Sequence, residues 1–471
     1  MPELLTLKEY KAIAADTSLP LNAFINGKFG GPRSGNRMET INPATGKSLG
    51  QMAACNAADV DYAVAKAREA FDRGDWSRMH PSARKDVMIQ LTKLIKRHRH
   101  ELAVMESLES GKPVRECQLT DIPETLHCLK WHAEATDKLY DQISPSGDDA
   151  VGMIIREPVG VVGCVLPWNF PLMMLAWKIG PALSAGNSVI LKPAEQTSMT
   201  ALRVAELASE AGLPDGVLNV LPGEGPDVGE PLGRHDDVQV VSFTGSTEVG
   251  RRFLEYSAQS NLKRIVLECG GKNPAVVLSD ATNLDHAAKH IVYAALWNMG
   301  QNCTANSRIL VHKKVKSQLA GRIHEQMRHW NTGDPLDPVN QLGAIVSKEQ
   351  HDRILGYIET GKKEGASVLA GGSAMELDGG YFIEPTLFDD VTPDMTIARE
   401  EIFGPVFALI EVGSDAQAIS IANDTCYGLQ ASLYTSSVSN AHRYARAIQA
   451  GTVSVNCYAE GDNATPFGGY K

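Results

Sequence analysis

Cys303 stands in Gly300-Gln301-Asn302-Cys303-Thr304, after a helical stretch holding Ala294, Ala295, Leu296 and Trp297. A cysteine is by default a small buried hydrophobe, and becomes a nucleophile only where its surroundings favour the thiolate. Glu268 closes the apolar strand Ile265-Val266-Leu267 and precedes Cys269-Gly270-Gly271-Lys272. A carboxylate there is either at the surface or poised in a cleft, where desolvation raises its pKa toward general-base use. Asn169 lies in Pro167-Trp168-Asn169-Phe170-Pro171, and beside proline the common use of asparagine is as a turn residue. A thiol, a carboxylate and an amide are thus candidates, each with an ordinary structural alternative.

The elements that must position these groups alternate between strand and helix. After an extended, turn-rich start (FINGKF, then INPATGK), helical periodicity covers about 57–74 and about 81–109. Lys96-Arg97-His98-Arg99-His100 reads as the solvated face of the second helix, and two histidines two apart point to different sides. From 150 onward come VGMIIREPVG, VVGCVLPW, a helix at 172–185, SVILKP, a helix at 199–211, VLNVLPG, VQVVSFTGS, a helix from about 246, and KRIVLECGG. A second series follows Cys303: SRILVH, helices at 315–330 and 348–365, SVLAGG, FIEPTLF, FALIEV and TVSVNCY. Such alternation implies parallel sheets with helices on both faces. The reading is α/β with two αβ domains meeting near 270, and a hairpin arm over about 141–158.

In an open parallel sheet, ligands collect at the carboxyl ends of strands, where helix N-termini offer unpaired N–H groups. Three junctions qualify: SVIL into Lys192-Pro193-Ala194-Glu195, VQVVSF into Thr244-Gly245-Ser246-Thr247, and VLNVLPG into Gly223-Glu224-Gly225. None is the G-x-G-x-x-G dinucleotide fingerprint. Together they make a nucleotide plausible without choosing one.

Composition narrows the class of function. The 471 residues suit roughly three structural units, and 43% hydrophobic with 21% charged residues is a globular balance. A net charge of −11 repels nucleic acid and anionic lipid, so neither is an expected partner. There is no membrane-length apolar run and no signal-peptide pattern. The eight cysteines are scattered without a CxxC, which suits reduced thiols and a cytoplasmic protein.

LPWNFPLMMLAWKIGPALSAGNSVILKPAEQT, FTGSTEVG, LECGGKNP, GQNCTANSR, EEIFGPV and PFGGYK, in this order, resemble the NAD(P)-dependent aldehyde dehydrogenase superfamily over nearly the whole chain. The resemblance implies a Rossmann-type cofactor domain (1–140 and 159–269), an αβ catalytic domain (270–455), and a small β oligomerisation arm with the C-terminal segment (141–158 and 456–471). It implies that Cys303 attacks the aldehyde carbon to give a thiohemiacetal and then a thioester. Asn169 and the Cys303 N–H would hold the oxyanion, and Glu268 would activate the hydrolytic water. Lys192 and Glu195 would bind the adenosine ribose, Ser246 with Gly245 and Gly225 the pyrophosphate region, and Glu401 the nicotinamide ribose. Phe403 and Trp168 would wall the cleft. Glu195 would repel a 2′-phosphate, so NAD is expected over NADP.

Two departures from the family pattern stand out. Cys269 replaces an aliphatic residue and reads as a small apolar filler, with oxidation or a bond to Cys303 as the alternative. The chain ends at Lys471, inside a motif after which family members continue with a glycine-rich segment and a strand that pairs across subunits. The C-terminal segment is therefore expected to be shortened, and assembly as a homodimer or homotetramer is an expectation.

For the substrate, the resemblance places a tunnel around Phe170, Met174, Trp177, Asn302, Thr304, Tyr458 and Phe467. Asp121 and Glu124 are expected at its mouth, with Glu460 and Asp462 near them. Carboxylates around one entrance would attract a cationic tail, a pattern similar to the aminoaldehyde and γ-glutamyl-γ-aminobutyraldehyde dehydrogenases. An arylacetaldehyde, such as indole- or phenylacetaldehyde, or a broad aliphatic range is the alternative. No metal is expected. The rival classes are an inactive binding or structural homologue and a thiol esterase working without a nucleotide.

Overall fold

Val161–Val165 (VVGCV) and Ser188–Lys192 (SVILK) are buried at every residue, so neither has a polar face to spare for solvent. Strands of that kind need cover on both sides, which is the condition for a parallel sheet between helices. The computed structural model, which describes residues 4–459 and 461–471, builds two such sheets of seven strands.

The first sheet has the strand order Arg264–Glu268, Val240–Thr244, Val161–Val165, Ser188–Lys192, Leu218–Val220, Ala23–Ile25 and Lys28–Gly30. Its first five strands are parallel, and the two from the start of the chain pair antiparallel at the far side. The chain runs outward from Val161–Val165 to Leu218–Val220, then returns to place Val240–Thr244 on the other flank. The sheet therefore reverses its winding between Val161–Val165 and Val240–Thr244, where a crevice opens beyond the strand ends. The second sheet has the order Ser367–Ala370, Thr386–Asp389, Val406–Val412, Arg308–His312, Pro274–Val277, Gln430–Tyr434 and Thr452–Val455. Gln142–Ser144 and Gly152–Ile154 pair as a separate antiparallel hairpin.

Several sequence expectations need local correction. The helix expected over 81–109 is two helices, Pro81–Arg97 and Arg99–Ser110, divided at His98. FIEPTLF is not one strand: Phe382–Ile383 and Thr386–Asp389 belong to different sheets, with Pro385 between them. The start of the chain is not wholly extended, because Leu7–Asp16 is a helix closed by a Thr6–Glu9 capping box. Among the described residues no helix is long and apolar enough to cross a membrane.

Candidate active site

Pro171–Ser184 begins directly after Asn169-Phe170, with proline in its first turn, where the missing N–H costs nothing. Met173, Met174, Trp177, Lys178 and Pro181 recur at three- and four-residue spacing, so one helix face lines the space beyond the strand ends. From the neighbouring strand come Thr244, Gly245 and Ser246, and from the edge strand Glu268. Thr244 stands opposite Glu268 in register, and the Gly245 N–H donates to the Glu268 carbonyl at 3.1 Å.

The part of the chain that carries the second sheet closes the crevice with two loops held by close backbone contacts. Gly300 has φ +66, and a Cβ there would lie 2.1 Å from the Gly404 carbonyl oxygen, so only glycine lets the loop before Cys303 meet the loop after Glu401. A Cβ on Gly271 would likewise lie 2.4 Å from the Cys303 carbonyl oxygen. That carbonyl accepts the Asn273 side-chain amide at 2.7 Å, which pins the main chain at Cys303. Phe403 has φ +58, and the Gln350 amide donates to its carbonyl at 2.9 Å.

The resulting cleft, of about 970 Å³, is lined together by Cys303, Glu268, Asn169, Trp168, Phe170, Met174, Trp177, Gly245, Ser246, Asn302, Glu401, Phe403 and Phe467. Trp168 and Phe403 meet edge to face at 5.2 Å, as do Trp177 and Phe467 at 4.9 Å. A larger, more open cavity adjoins it, sharing Met174, Trp177, Glu268 and Phe467 and adding Glu124, His127, Trp297, Tyr458 and Asp462.

Burial tunes the ionisable groups. It pushes the Glu268 carboxyl up to about 7, with the Lys178 cation opposing. Lys178 is itself buried and lowered to about 8, and its ammonium donates to the Ser242 hydroxyl at 2.9 Å. Glu401 is pushed up to about 7 by burial, although its carboxylate accepts the Gly271 N–H at 2.8 Å. The Cys269 thiol is raised by burial and then by Glu268 and Glu401, which keeps it protonated; its sulfur packs where a Cβ on Gly250 would be 3.0 Å away. Cys269 is half-buried and also borders the cleft.

The far end of the expected cofactor site lies along the same row of strand ends. Lys192 is buried beside Val165 in register, and its ammonium meets the half-buried Glu195 carboxylate at 3.2 Å. Ser246 caps Thr247–Ala258, accepting the Val249 N–H at 3.3 Å and leaving the first N–H groups of that helix directed at the crevice. Gly225 is exposed at the start of a π-turn, with nothing within 4 Å of a Cβ placed on it. These donors and the outward carboxylate fit a dinucleotide laid across the switch point.

Two expected substrate residues are placed differently. Asp121 is not at the mouth: it is 1% exposed, and the buried Lys112 ammonium meets its carboxylate at 2.6 Å and that of Glu106 at 3.5 Å. Thr304 is buried behind the cleft, its hydroxyl donating to the Asn302 side-chain oxygen at 2.9 Å and lying 2.7 Å from the Tyr458 hydroxyl. Glu460 lies outside the described residues. Glu124 is exposed in the outer cavity, as is Asp462. Sequence reasoning missed Lys178, Gln350 and Asn273; only Lys178, a lone cation among Leu175, Ala176, Trp177 and Ile179, carried a visible signal.

The aldehyde dehydrogenase family profile matches residues 31–471. The chain belongs to the aldehyde dehydrogenase family. Among aldehyde dehydrogenases it is 56% identical, over all of its 471 residues and 94% of the relative, to aminoacetaldehyde dehydrogenase of Pseudomonas aeruginosa. The solved γ-glutamyl-γ-aminobutyraldehyde dehydrogenase of Burkholderia cenocepacia J2315 superposes with a TM-score of 0.97 at 47% identity, covering 99% of this chain and 94% of that one. The indole-3-acetaldehyde dehydrogenase AldA of P. syringae, solved with NAD+ and IAA, gives 0.98 at 46%, covering 99% and 95%.

Proposed function

We propose that this aldehyde dehydrogenase oxidises an aminoaldehyde to the corresponding acid with NAD, through a thioester on Cys303. The observation that carries the reading is the convergence of Cys303, Glu268 and Asn169 on one cleft between the two domains. The Cys303 thiolate adds to the aldehyde carbon, and the carbonyl electron pair moves to oxygen. The Asn169 amide and the Cys303 N–H hold that oxyanion, each such donor being worth about 3 kcal/mol. When bound, NAD supplies the hydride acceptor, held by Lys192, Glu195, Ser246 and Glu401. Oxidation of the adduct leaves a thioester on Cys303. Glu268, deprotonated, takes a proton from water as the water's oxygen attacks the thioester carbon; the C–S bond breaks and the acid leaves.

The aminoaldehyde reading is supported by the relative named for aminoacetaldehyde and by the acidic groups Glu124 and Asp462 in the outer cavity. Asp121 no longer contributes, because Lys112 neutralises it. The second reading, an arylacetaldehyde, is favoured by the aromatic walls Phe170, Trp177 and Phe467 and by the indole-3-acetaldehyde relative. We further read the protein as a cytoplasmic homodimer or homotetramer, supported by the apolar hairpin that Ile143 and Met153 leave largely exposed. Comparing kcat/KM for aminoacetaldehyde, 4-aminobutyraldehyde, hexanal and indole-3-acetaldehyde tests the substrate. The amines lead if the reading holds, and no preference for an amine rejects it.

A further inference from the structure

Between the helix Leu284–Leu296 and the Cys303 loop, the chain turns through three consecutive left-handed residues: Asn298 (φ +53), Met299 (φ +55) and Gly300 (φ +66). Two of the three are not glycine, so the surroundings must offset the strain of each. Asn298 is 2% exposed and does not line the cleft, yet its side chain reaches the Asn169 loop, at the end of a first-sheet strand, and the main chain of Gln301 in the Cys303 loop. Its one amide nitrogen donates to two carbonyl oxygens, that of Asn169 at 2.9 Å and that of Gln301 at 3.0 Å. The Gln301 carbonyl also accepts the Asn169 side-chain amide at 3.0 Å.

These three hydrogen bonds close a small figure across the two domains. Asn169 comes from the end of a first-sheet strand, and Gln301 stands two residues before Cys303. An Asn side-chain nitrogen has two hydrogens and a carbonyl oxygen two lone pairs, so both Asn298 hydrogens and both Gln301 lone pairs are used. Asn169 commits one amide hydrogen to Gln301, which fixes the amide plane and leaves the second hydrogen for an oxygen in the cleft. Asn298 thus ties the Asn169 main chain to the same Gln301 carbonyl that the Asn169 side chain grips. We propose that Asn298 is a positioning residue that holds the Asn169 amide in register with Cys303 across the domain boundary. The proposal rests on Asn169 being the oxyanion donor.

Position 298 permits an unusual test, because its backbone conformation favours glycine. Asn298→Gly removes both donors while relieving the left-handed strain, so the protein should fold with little change in Tm. Asn298→Asp keeps the size and tolerates the same φ, but puts a carboxylate oxygen against two carbonyls; it serves if the glycine variant does not fold. The measurement is single-turnover NADH formation at saturating NAD and aldehyde, in a double-mutant cycle with Asn169→Ala.

Displacing a reacting group by a fraction of an ångström costs up to about 100-fold. The expected result is a fall of about 10- to 100-fold for Asn298→Gly, with the KM for NAD unchanged and no further fall when Asn169→Ala is already present. A merely structural role would lower Tm or raise both KM values and leave the two substitutions multiplying independently; that outcome overturns the proposal. So does an unchanged rate in Asn298→Gly when Asn169→Ala alone is slow. If Asn169→Ala alone is as fast as the wild type, the oxyanion reading fails first and the positioning role falls with it.

Discussion

Glu268 and Cys269 are neighbours, yet burial drives them to different chemistry. Glu268 is raised only to about 7, so it is a usable base at neutral pH, whereas the Cys269 thiol is raised and stays protonated. A carboxyl with a raised pKa is protonated below that value and can take no proton from water. Turnover should therefore climb as pH rises through about 7, and Glu268→Gln should abolish that limb in a pH profile of kcat. The base itself is expected to be worth about 10²- to 10⁴-fold in steady-state turnover. At the other end of the crevice, the outward Glu195 carboxylate should exclude a 2′-phosphate. Glu195→Ser is expected to raise kcat/KM for NADP relative to NAD; equal use of both cofactors by the wild type would contradict that role. Asp121 shows where residue-scale reading of the cleft entrance went wrong. Its spacing from Glu124 is visible in sequence, but the Lys112 ammonium that neutralises it lies nine residues away on a separate turn. Glu124→Gln should thus raise the KM for an aminoaldehyde, while Asp121→Asn should lower Tm more than it changes KM.

The loops after Asn298 and Glu401 carry the strain that makes the site. Gly300→Ala would place a methyl against the Gly404 carbonyl at an unfavourable φ, so it should lose activity and several degrees of Tm. Gly225→Ala, facing open space, should leave Tm unchanged by the same measurement. The strand-to-helix junctions were legible because buried strands such as SVILK end on a change of polarity, and that change marks the ligand edge of a parallel sheet. Other elements were not. Leu7–Asp16 has only Tyr10 fully buried, so its periodicity is faint although its capping box stands in the sequence. His98 divides two helices by a φ/ψ of −92°, 16°, with no proline or glycine to announce it. Asn273 reaches Cys303, 30 residues on, and Gln430, 157 residues on, and Asn298 reaches Asn169, 129 residues back, with no regular pattern, so composition and spacing cannot show these contacts.

Across the whole molecule, residues from the neighbourhood of both sheets line one cleft where the first reverses its winding, and each side contributes part of the proposed chemistry. The first supplies Asn169 and Glu268, the second Cys303 and Glu401. The hairpin 142–154 stands apart from this arrangement, with Ile143 76% and Met153 68% exposed. Exposed apolar surface of that kind often marks an interaction site in proteins. Ile143→Asp together with Met153→Asp should reduce the mass measured in solution by light scattering, and an unchanged mass would remove the hairpin from assembly. The claim on which everything else depends is the covalent intermediate on Cys303 released by Glu268. Mixing Glu268→Gln protein with NAD and aldehyde, then digesting it for mass spectrometry, tests it directly. The account predicts about one NADH per site and an acyl group on the Cys303 peptide, with Cys303→Ala giving neither. Continuous turnover by Glu268→Gln with no acylated peptide, or NADH from Cys303→Ala at the wild-type rate, would contradict it.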